Sequence, residues 1–227
     1  VEKIMAEDVA AGPFIKRFVG SDELINGRQR YCLWIEDDEV EAALKSKFIA
    51  QRLKLVAENR SQSDAESTRQ FAKRPHRFVQ IAGVSKKNQI LVPGVSSENR
   101  DYLPCDFLTA ESIASNKCFA LYDAPLWNMA LIASRLHWVW IGTVCVRMRT
   151  DFSYSNTLGW NTFPVPLLTE QNKADLTRCA ENILLAREAH FPATIADLYD
   201  PDTMPENLRH AHERNDEVLE RIYIGRR

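Results

Sequence analysis

The sequence lacks most of the short motifs that mark a self-contained enzyme. Only 8 of its 227 residues are glycine, and neither a P-loop nor a dinucleotide-binding glycine motif occurs, so we expect no phosphate-cradling loop. The nucleophile elbow of α/β-hydrolases is also missing. His210 and His212 are two residues apart on a predicted helix, where their rings diverge too far to share a metal ion. We therefore expect neither catalytic residues nor a metal site in this chain.

Cysteine and long apolar runs are also scarce. The five cysteines include no Cys-x-x-Cys pair, which favours free thiols in a reducing compartment over a disulfide or zinc framework. We interpret Cys145 and His137, in a strongly apolar stretch, as a buried thiol and a core histidine. No apolar run reaches the roughly 18 residues of a membrane helix, and no signal-peptide pattern opens the chain. We expect a soluble, cytoplasmic protein without a membrane partner.

Net charge is low, and its distribution along the chain is uneven. The formal value of −2 argues by itself against a simple basic nucleic-acid binder. Residues 45–100, here called the basic block, nevertheless hold 12 basic and 4 acidic side chains, an excess of +8. Such a local excess can bind a polyanion although the whole chain is nearly neutral. A solvated helix face followed by turns is the alternative interpretation of the block.

Periodicity predicts a mixed fold. Strands are predicted for six segments: 14–19, 29–35, 77–83, 88–95, 118–122 and 143–149. Asn26-Gly27 indicates a hairpin turn between the first two, and Pro93 indicates an edge strand. Helices are predicted over residues 39–60 and from Pro125 to Trp140.

From residue 167 the pattern becomes helical. Thr169 can cap a helix that runs to about His190, and Pro205 can begin the last helix. We therefore predict an α/β (α+β) domain with a mixed sheet over residues 1–166. A small all-α domain over residues 167–227 follows it.

Two polar segments carry groups with which proteins contact nucleic acid. Residues 96–102, SSENRDY, combine hydroxyls, an amide and an arginine, which bond phosphate oxygens. Residues 147–156, if extended, would align five polar side chains on one face: Arg147, Arg149, Asp151, Ser153 and Ser155. Arginine suits the acceptors of guanine and aspartate the amino group of cytosine. A polar turn with local bonds and a salt-bridged exposed strand are the respective alternatives.

Four longer motifs occur in this order: IKRFVGSDELINGRQRYCLW, VSSENRDYLP, FSYSNTLGWNTFPVP and LYDPDTMPENLRHAH. Together they closely resemble the C-terminal part of MmeI-like restriction-modification DNA methyltransferases, from about Pro13 to the end. In that family an N-terminal nuclease and a central adenine methyltransferase precede a target recognition domain and a small helical domain. The resemblance implies that this chain corresponds to the last two.

The missing motifs agree with that placement. The Asn/Asp-Pro-Pro-Tyr/Phe motif that holds a flipped adenine does not occur, and neither does the glycine-rich turn for S-adenosylmethionine or an Asp…Glu-x-Lys nuclease signature. The first residue is Val1 rather than methionine. We therefore expect a piece of a longer protein, without methyltransferase activity or a cofactor of its own. The resemblance implies that the parent's methyltransferase domain binds S-adenosylmethionine.

The resemblance also assigns site residues. The family's base-reading positions, just before the Tyr-Ser pair of FSYS, fall on Arg149, Asp151 and Ser153. Relatives often have an acidic residue, an arginine and an arginine there, so a different base pair is implied. Arg147 matches an arginine expected to support the strand. The basic block and the two polar segments predict DNA-backbone contacts at seven residues: Lys73, Arg74, Ser96, Ser97, Arg100, Ser155 and Asn156. The helical end, including Tyr199, is expected to be a structural brace.

The sequence thus predicts a fragment that recognises a DNA sequence. It would position double-stranded DNA for base flipping and methylation by an upstream domain. The alternative is a non-catalytic interaction or assembly module whose basic block binds an acidic partner, and an independent enzyme is a third candidate. Salt-dependent binding of duplex DNA would separate the first two.

Overall fold

The computed structural model describes residues 1–80 and 83–225, which form two compact units. The first unit comprises Val1–Val19, Gln29–Gly83 and Glu111–Asn116. The second comprises Gly20–Arg28, Val84–Ala110 and Lys117–Arg227. Residues 167–225 belong to the second unit together with earlier parts of the chain, so the two units do not correspond to the domains predicted before and after residue 166. That boundary stays a prediction.

Helices and short strands are interspersed along the described residues. The helices are α1 (Glu2–Glu7), α2 (Ser21–Asn26), α3 (Val40–Ala43), α4 (Lys47–Ser61), α5 (Glu66–Gln70), α6 (Trp127–Ile132), α7 (Arg135–Val144), α8 (Glu170–Glu188), α9 (Ile195–Leu198) and α10 (Glu206–Ile224). The strands are β1 (Ile15–Val19), β2 (Tyr31–Leu33), β3 (Asn88–Pro93), β4 (Val95–Ser96), β5 (Asp106–Thr109), β6 (Ser112–Ala114), β7 (Cys118–Tyr122), β8 (Arg147–Met148) and β9 (Asp151–Ser153). Short 3₁₀ segments cover Val9–Phe14 and Phe71–Lys73, and Asn156–Trp160 forms a π-helical turn. No helix in the described ranges is long and apolar enough to span a membrane.

The first unit is built on a mixed three-stranded sheet. Strand β1 lies in the centre, antiparallel to β2 and parallel to β6. Helix α4 begins at Ser46, whose hydroxyl accepts the Ile49 N–H and donates to the Asp8 carboxylate at 2.8 Å. The same carboxylate accepts the Phe48 N–H, and these bonds lower the pKa of Asp8. The cap turns the apolar face of α4 toward a small core formed by six side chains: Ala11, Phe14, Ile35, Ala43, Ile49 and Leu53.

The second unit contains two further sheets. Strand β3 lies between β5 and β7, antiparallel to both. Pro93 therefore belongs to a central strand, and the predicted edge is wrong. A proline is tolerated here because it is the last residue of β3, paired only with Cys118 of β7, while the pairing with β5 ends at Leu91. The other sheet is antiparallel, with β9 between β4 and β8.

The helical end packs into the second unit through a buried polar network. Arg187 of α8 donates to the Tyr199 hydroxyl and, at 2.7 Å, to the Cys105 carbonyl oxygen. The Tyr199 hydroxyl also bonds His212 of α10 at 2.8 Å, and the other ring nitrogen of His212 bonds the Ala133 carbonyl at 3.0 Å. Burial, reinforced by Arg187, lowers the pKa of His212 to about 3. These bonds attach α8, α9 and α10 to the body of the unit.

The predicted fold class, an α+β domain followed by helices, is confirmed. The predicted strand at 118–122 is present with the predicted bounds, and those at 14–19, 29–35 and 88–95 are present in shortened form. The helix capped by Thr169 is present as α8.

Four further local predictions are wrong. Asn26-Gly27 ends helix α2, with Gly27 in the left-handed region, instead of making a two-residue hairpin turn. The predicted helix over 39–60 is interrupted at Ser46, and Thr143 and Val144 continue helix α7 instead of beginning a strand. The predicted strand over 77–83 is not formed by residues 77–80 or 83, and residues 81 and 82 lie outside the described residues.

Candidate nucleic-acid interface

Residues 147–153 form a β-hairpin rather than one extended strand. Strands β8 and β9 are antiparallel, and Arg147 lies opposite Phe152 and Met148 opposite Asp151. Arg149 and Thr150 form the turn, and Arg149 has a φ of 61°, in the left-handed region. The turn reverses the chain and resets the alternation of side chains. The prediction that Arg147 and Asp151 share one face of a strand is therefore wrong.

Cross-strand pairing divides the hairpin into two faces, because residues directly opposite each other in an antiparallel pair point to the same side. Arg147 and Phe152 lie on one side, where Phe152 is buried and the guanidinium of Arg147 lies 4.4 Å from the centre of its ring, although the Arg147 side chain is 45% exposed. Asp151 and Met148 point outward, and Met148 is 57% exposed. Ser153 alternates with Phe152 and shares that outward face. The outward face thus presents the exposed Met148 and the half-buried Asp151 and Ser153, with the exposed Arg149 at the tip.

Arg147 supports this hairpin from within. Its Nη1 donates to the Glu98 carboxylate at 2.5 Å and to the Thr150 carbonyl oxygen at 2.8 Å. The first bond joins the hairpin to the segment after β4, and the second closes the turn. Because the guanidinium is used in these contacts, Arg147 has a supporting position, as expected from the sequence.

Tyr154, the residue that follows β9, is anchored in the core of the unit. The Tyr154 N–H donates to the Gly94 carbonyl at 2.9 Å, and its hydroxyl lies 3.2 Å from Nε2 of His137. Both side chains are buried, which lowers the pKa of His137 to about 3 and raises that of Tyr154. Cys145 is also buried. His137 and Cys145 are thus a neutral core histidine and a buried thiol, as predicted.

The 96–102 segment is tied to its own backbone and neighbours. Ser96 is buried opposite Phe152, and its hydroxyl accepts from Nη1 of Arg100 at 3.1 Å. Partial burial lowers the pKa of Arg100, and the nearby Asp151 acts in the opposite direction. The Ser97 hydroxyl accepts the Asn99 N–H at 3.3 Å. Ser97 and Arg100 keep part of their surface in solvent, whereas Ser96 has little left for a ligand.

The other four residues predicted to contact the DNA backbone differ in whether their polar groups are already bonded within the protein. Ser155 caps the π-helical turn by accepting the Leu158 N–H at 3.3 Å, and Asn156 is exposed at the first position of that turn. Arg74 donates to the Asp37 carboxylate at 2.5 Å. Lys73 is exposed and forms no ion pair with any described residue.

The structure therefore distributes the ten predicted residues over both units. Eight lie in the second unit, six of them on or beside the sheet that contains the hairpin, and Lys73 and Arg74 lie in the first. Sequence reasoning missed Met148 and Glu98. No glycine, proline or asparagine marks the turn at Arg149-Thr150, so the sequence offered no signal for the hairpin that places them.

The chain was compared with known families and proteins. Residues 1–167 match the target recognition domain of MmeI, and residues 168–227 match the MmeI C-terminal domain. A curated relative, DNA methyltransferase A of Bacillus subtilis (strain 168), is 37% identical over 211 residues, which is 93% of this chain but 24% of the relative.

A solved structure is also similar, that of the type IIL restriction-modification enzyme MmeI in complex with DNA. It superposes with a TM-score of 0.90 and 32% identity over 98% of this chain and 30% of the solved chain. The chain thus spans only about a quarter to a third of the proteins that it matches. These matches confirm the resemblance drawn from the four motifs. The chain belongs to the MmeI family, and the parts of that family that it matches are the target recognition domain and the C-terminal domain.

Proposed function

We propose that this chain is the DNA target-recognition part of a restriction-modification adenine methyltransferase. In this proposal the outward face of the β8–β9 hairpin enters the major groove of duplex DNA, and Arg149, Asp151 and Ser153 read base edges. The single observation that carries the proposal is the outward face of the hairpin, on which Arg149 is exposed and Asp151 and Ser153 are partly exposed, with Arg147 and Tyr154 supporting it from the other side. A rigid support of this kind favours geometric readout of hydrogen-bonding groups.

Contacts to the DNA backbone would fix the position of the hairpin. Lys73, Ser97, Arg100 and Asn156 have exposed or partly exposed polar ends for this purpose. Such contacts orient a protein on the duplex without reading its sequence. Arg74 would first have to exchange its bond to Asp37 for one to phosphate.

The remaining chemistry belongs, in this proposal, to a methyltransferase domain elsewhere in a longer cytoplasmic enzyme. That domain would bind S-adenosylmethionine, and this chain would bind no cofactor. The chain would hold the duplex while the partner domain flips an adenine out of the stack. The solved relative bound to DNA and the curated relative named as a DNA methyltransferase support this division of roles.

Selection from a randomised duplex library tests the proposal. The 227-residue chain is incubated with the library, and the bound duplexes are sequenced. We expect one enriched motif, and we expect Arg149→Ala and Asp151→Asn each to relax one position of it, worth about 1–3 kcal/mol. Arg178→Ala is the matched control, because Arg178 is an exposed arginine of α8 that pairs with Asp175.

Two results would count against the proposal. An unchanged motif in both hairpin variants would remove these residues from base reading. Binding of an acidic peptide in place of duplex DNA would favour the interaction-module alternative.

A further inference from the structure

The first unit contains a cavity of about 510 Å³ that the proposed function does not use. One side is the face of α4 that carries Phe48 and Arg52, and the other side comes from β1 and β2. Val1, Ile4 and residues 75–78 complete the wall. The volume lies in the range of small-molecule sites, which are mostly apolar with a few polar groups.

Its walls combine aromatic rings with guanidinium groups. The guanidinium carbon of Arg30 lies 4.7 Å from the centre of the Phe18 ring, and that of Arg52 lies 5.7 Å from the Phe48 ring. Phe78 packs beside Phe18, with the ring centres 5.5 Å apart. Planar rings and planar guanidinium groups are the surfaces on which unstacked nucleic-acid bases stack.

The charge of the cavity has one sign. Four arginines and no carboxylate are among the described lining residues. Arg60 is directed to the Phe71 and Arg74 carbonyl oxygens, at 3.2 and 3.1 Å, and Arg77 is bound to Glu36. Arg52 is exposed and makes no ion pair within the described residues. The cavity therefore presents an available cation beside its aromatic wall.

The other polar side chains of the wall are those of Tyr31, Cys32 and His76. The Tyr31 hydroxyl donates to Gln29, and His76 is bonded to Asp37. Burial raises the pKa of the Cys32 thiol to about 11, so this side chain is uncharged at neutral pH. A ligand with a positive centre would be repelled by Arg52, which has no carboxylate partner within the described residues. A ligand that joins an aromatic ring to an anion matches both properties of the cavity.

We propose that this cavity binds a single unstacked nucleotide, with its base against the ring and guanidinium surfaces and its phosphate at Arg52. This site is separate from duplex reading by the hairpin and goes beyond the proposed function. The nucleotide can be free in solution or part of a single strand, since both supply a base and a phosphate.

Calorimetric titration of the 227-residue chain tests the proposal. The probes are adenosine 5′-monophosphate, adenosine, inorganic phosphate and a four-nucleotide single strand. We expect the monophosphate to bind more tightly than adenosine or phosphate, because only it uses both surfaces. Tighter binding of the single strand would assign the site to a strand, and weaker binding would assign it to a free nucleotide.

Variants of α4 provide the matched comparison. We expect Arg52→Gln to weaken binding of the monophosphate about tenfold, as for loss of a charge-assisted hydrogen bond. Lys54→Gln removes the same charge from an exposed position two residues away that does not line the cavity, and should leave binding unchanged. Circular dichroism of both variants confirms that they are folded.

Several results would overturn the proposal. These are equal affinity for phosphate and monophosphate, equal affinity of the wild type and Arg52→Gln, no binding by either nucleotide probe, and displacement of the monophosphate by a glutamate-rich peptide. Duplex selection on the same preparation separates the two hypotheses. Duplex binding without nucleotide binding rejects only the cavity, and the reverse result rejects only the recognition hairpin.

Discussion

At the residue scale, Met148 changes the chemistry expected of the hairpin. Its side chain shares the outward face with Asp151, directly across the strand pair, and more than half of it is in solvent. The side chain thus stands beside a carboxylate that can accept from an amino group on a base. Apolar side chains in the major groove contact the 5-methyl group of thymine. Under the proposed function, Met148 would therefore add an apolar contact to the polar contacts of Arg149, Asp151 and Ser153.

Replacing thymine by uracil tests this contact. Once the selected motif is known, each thymine is replaced in turn, which removes only the methyl group. We expect one replacement to weaken binding of the wild type about fourfold, as for about 0.8 kcal/mol per methyl group. Met148→Ala should bind the thymine and uracil duplexes equally. If the variant kept the wild-type preference at every thymine, Met148 would lie outside the interface.

At the scale of elements, the hairpin depends on Arg147 more than on its own turn residues. The turn has no sequence that favours it, and Arg147 supplies a bond to the Thr150 carbonyl and an ion pair with Glu98. Both contacts are partly exposed. They therefore contribute to local order more than to global stability.

We expect Arg147→Ala to separate stability from binding. The free energy of unfolding in urea should fall by about 1 kcal/mol or less, because the ion pair is partly solvated. Duplex affinity should fall at least as much as in Asp151→Asn, because the whole outward face loses its support. Arg147→Lys should restore little of the duplex affinity, since a lysine cannot contact the Glu98 carboxylate and the Thr150 carbonyl in the same geometry. Normal duplex affinity in Arg147→Ala would show that the hairpin is ordered without it.

Helices and strands could be predicted from the sequence where they depend on neighbouring residues. Thr169 caps α8 because its side chain accepts the Asn172 N–H, a bond within one turn of helix. The same local reasoning failed at Asn26-Gly27, since a positive φ suits the end of a helix as well as a hairpin turn.

The site was predictable in part. Asp151 and Ser153 share the outward face of β9, as their two-residue spacing requires. The position of Met148 was not predictable, because the positive φ of Arg149 comes from strand pairing and not from its own preference.

At the scale of the whole molecule, the basic block is not one surface of one unit. Nine of its twelve basic residues lie in the first unit and three in the second. The first unit has 13 basic and 12 acidic residues, or +1, and the second has 16 and 19, or −3. Within the first unit Asp37 pairs with both Arg74 and His76, which lower its pKa to about 2. Attraction to phosphate must therefore depend on individual cations.

Lys73 and Arg74 should accordingly differ in salt dependence. We expect Lys73→Ala to reduce the slope of log affinity against log salt by about 0.9, as for loss of one phosphate contact. Arg74→Ala should reduce the slope less, because Arg74 is already neutralised by Asp37. Fluorescence anisotropy of labelled duplex between low and moderate salt measures both slopes. Identical slopes in the wild type and Lys73→Ala would remove Lys73 from the contacts.

The stability of the second unit should depend on pH through two buried histidines. Burial lowers the pKa of His137 and of His212 to about 3, below the unfolded value near 6.5. Above pH 6.5 both are neutral in either state, and stability is unaffected. Below it the unfolded chain binds protons that the folded chain does not, so stability is lost as pH falls from 6.5 toward 3.

Urea unfolding at pH 7 and pH 5 measures this loss. We expect the free energy of unfolding to fall by up to about 2 kcal/mol for each buried histidine between these two pH values. His137→Gln, which cannot take up a proton, should lose less stability between the two pH values than the wild type does. His210→Gln is the control, because His210 is exposed on α10 and should leave the pH dependence intact. Equal losses in the wild type and His137→Gln would mean that His137 is protonated in the folded state.

If the hairpin reads DNA as proposed, the left-handed backbone at Arg149 limits how the recognised sequence can change. Glycine, asparagine and aspartate occupy such a conformation readily, and valine, isoleucine and threonine do so at a high steric cost. Asp151 and Ser153 lie on the extended backbone of a central strand, which tolerates side chains other than proline. Specificity should therefore diverge freely at the strand positions. At the tip it should diverge only among residues that tolerate the turn, and a design that replaces Arg149 by a β-branched residue must rebuild the turn first.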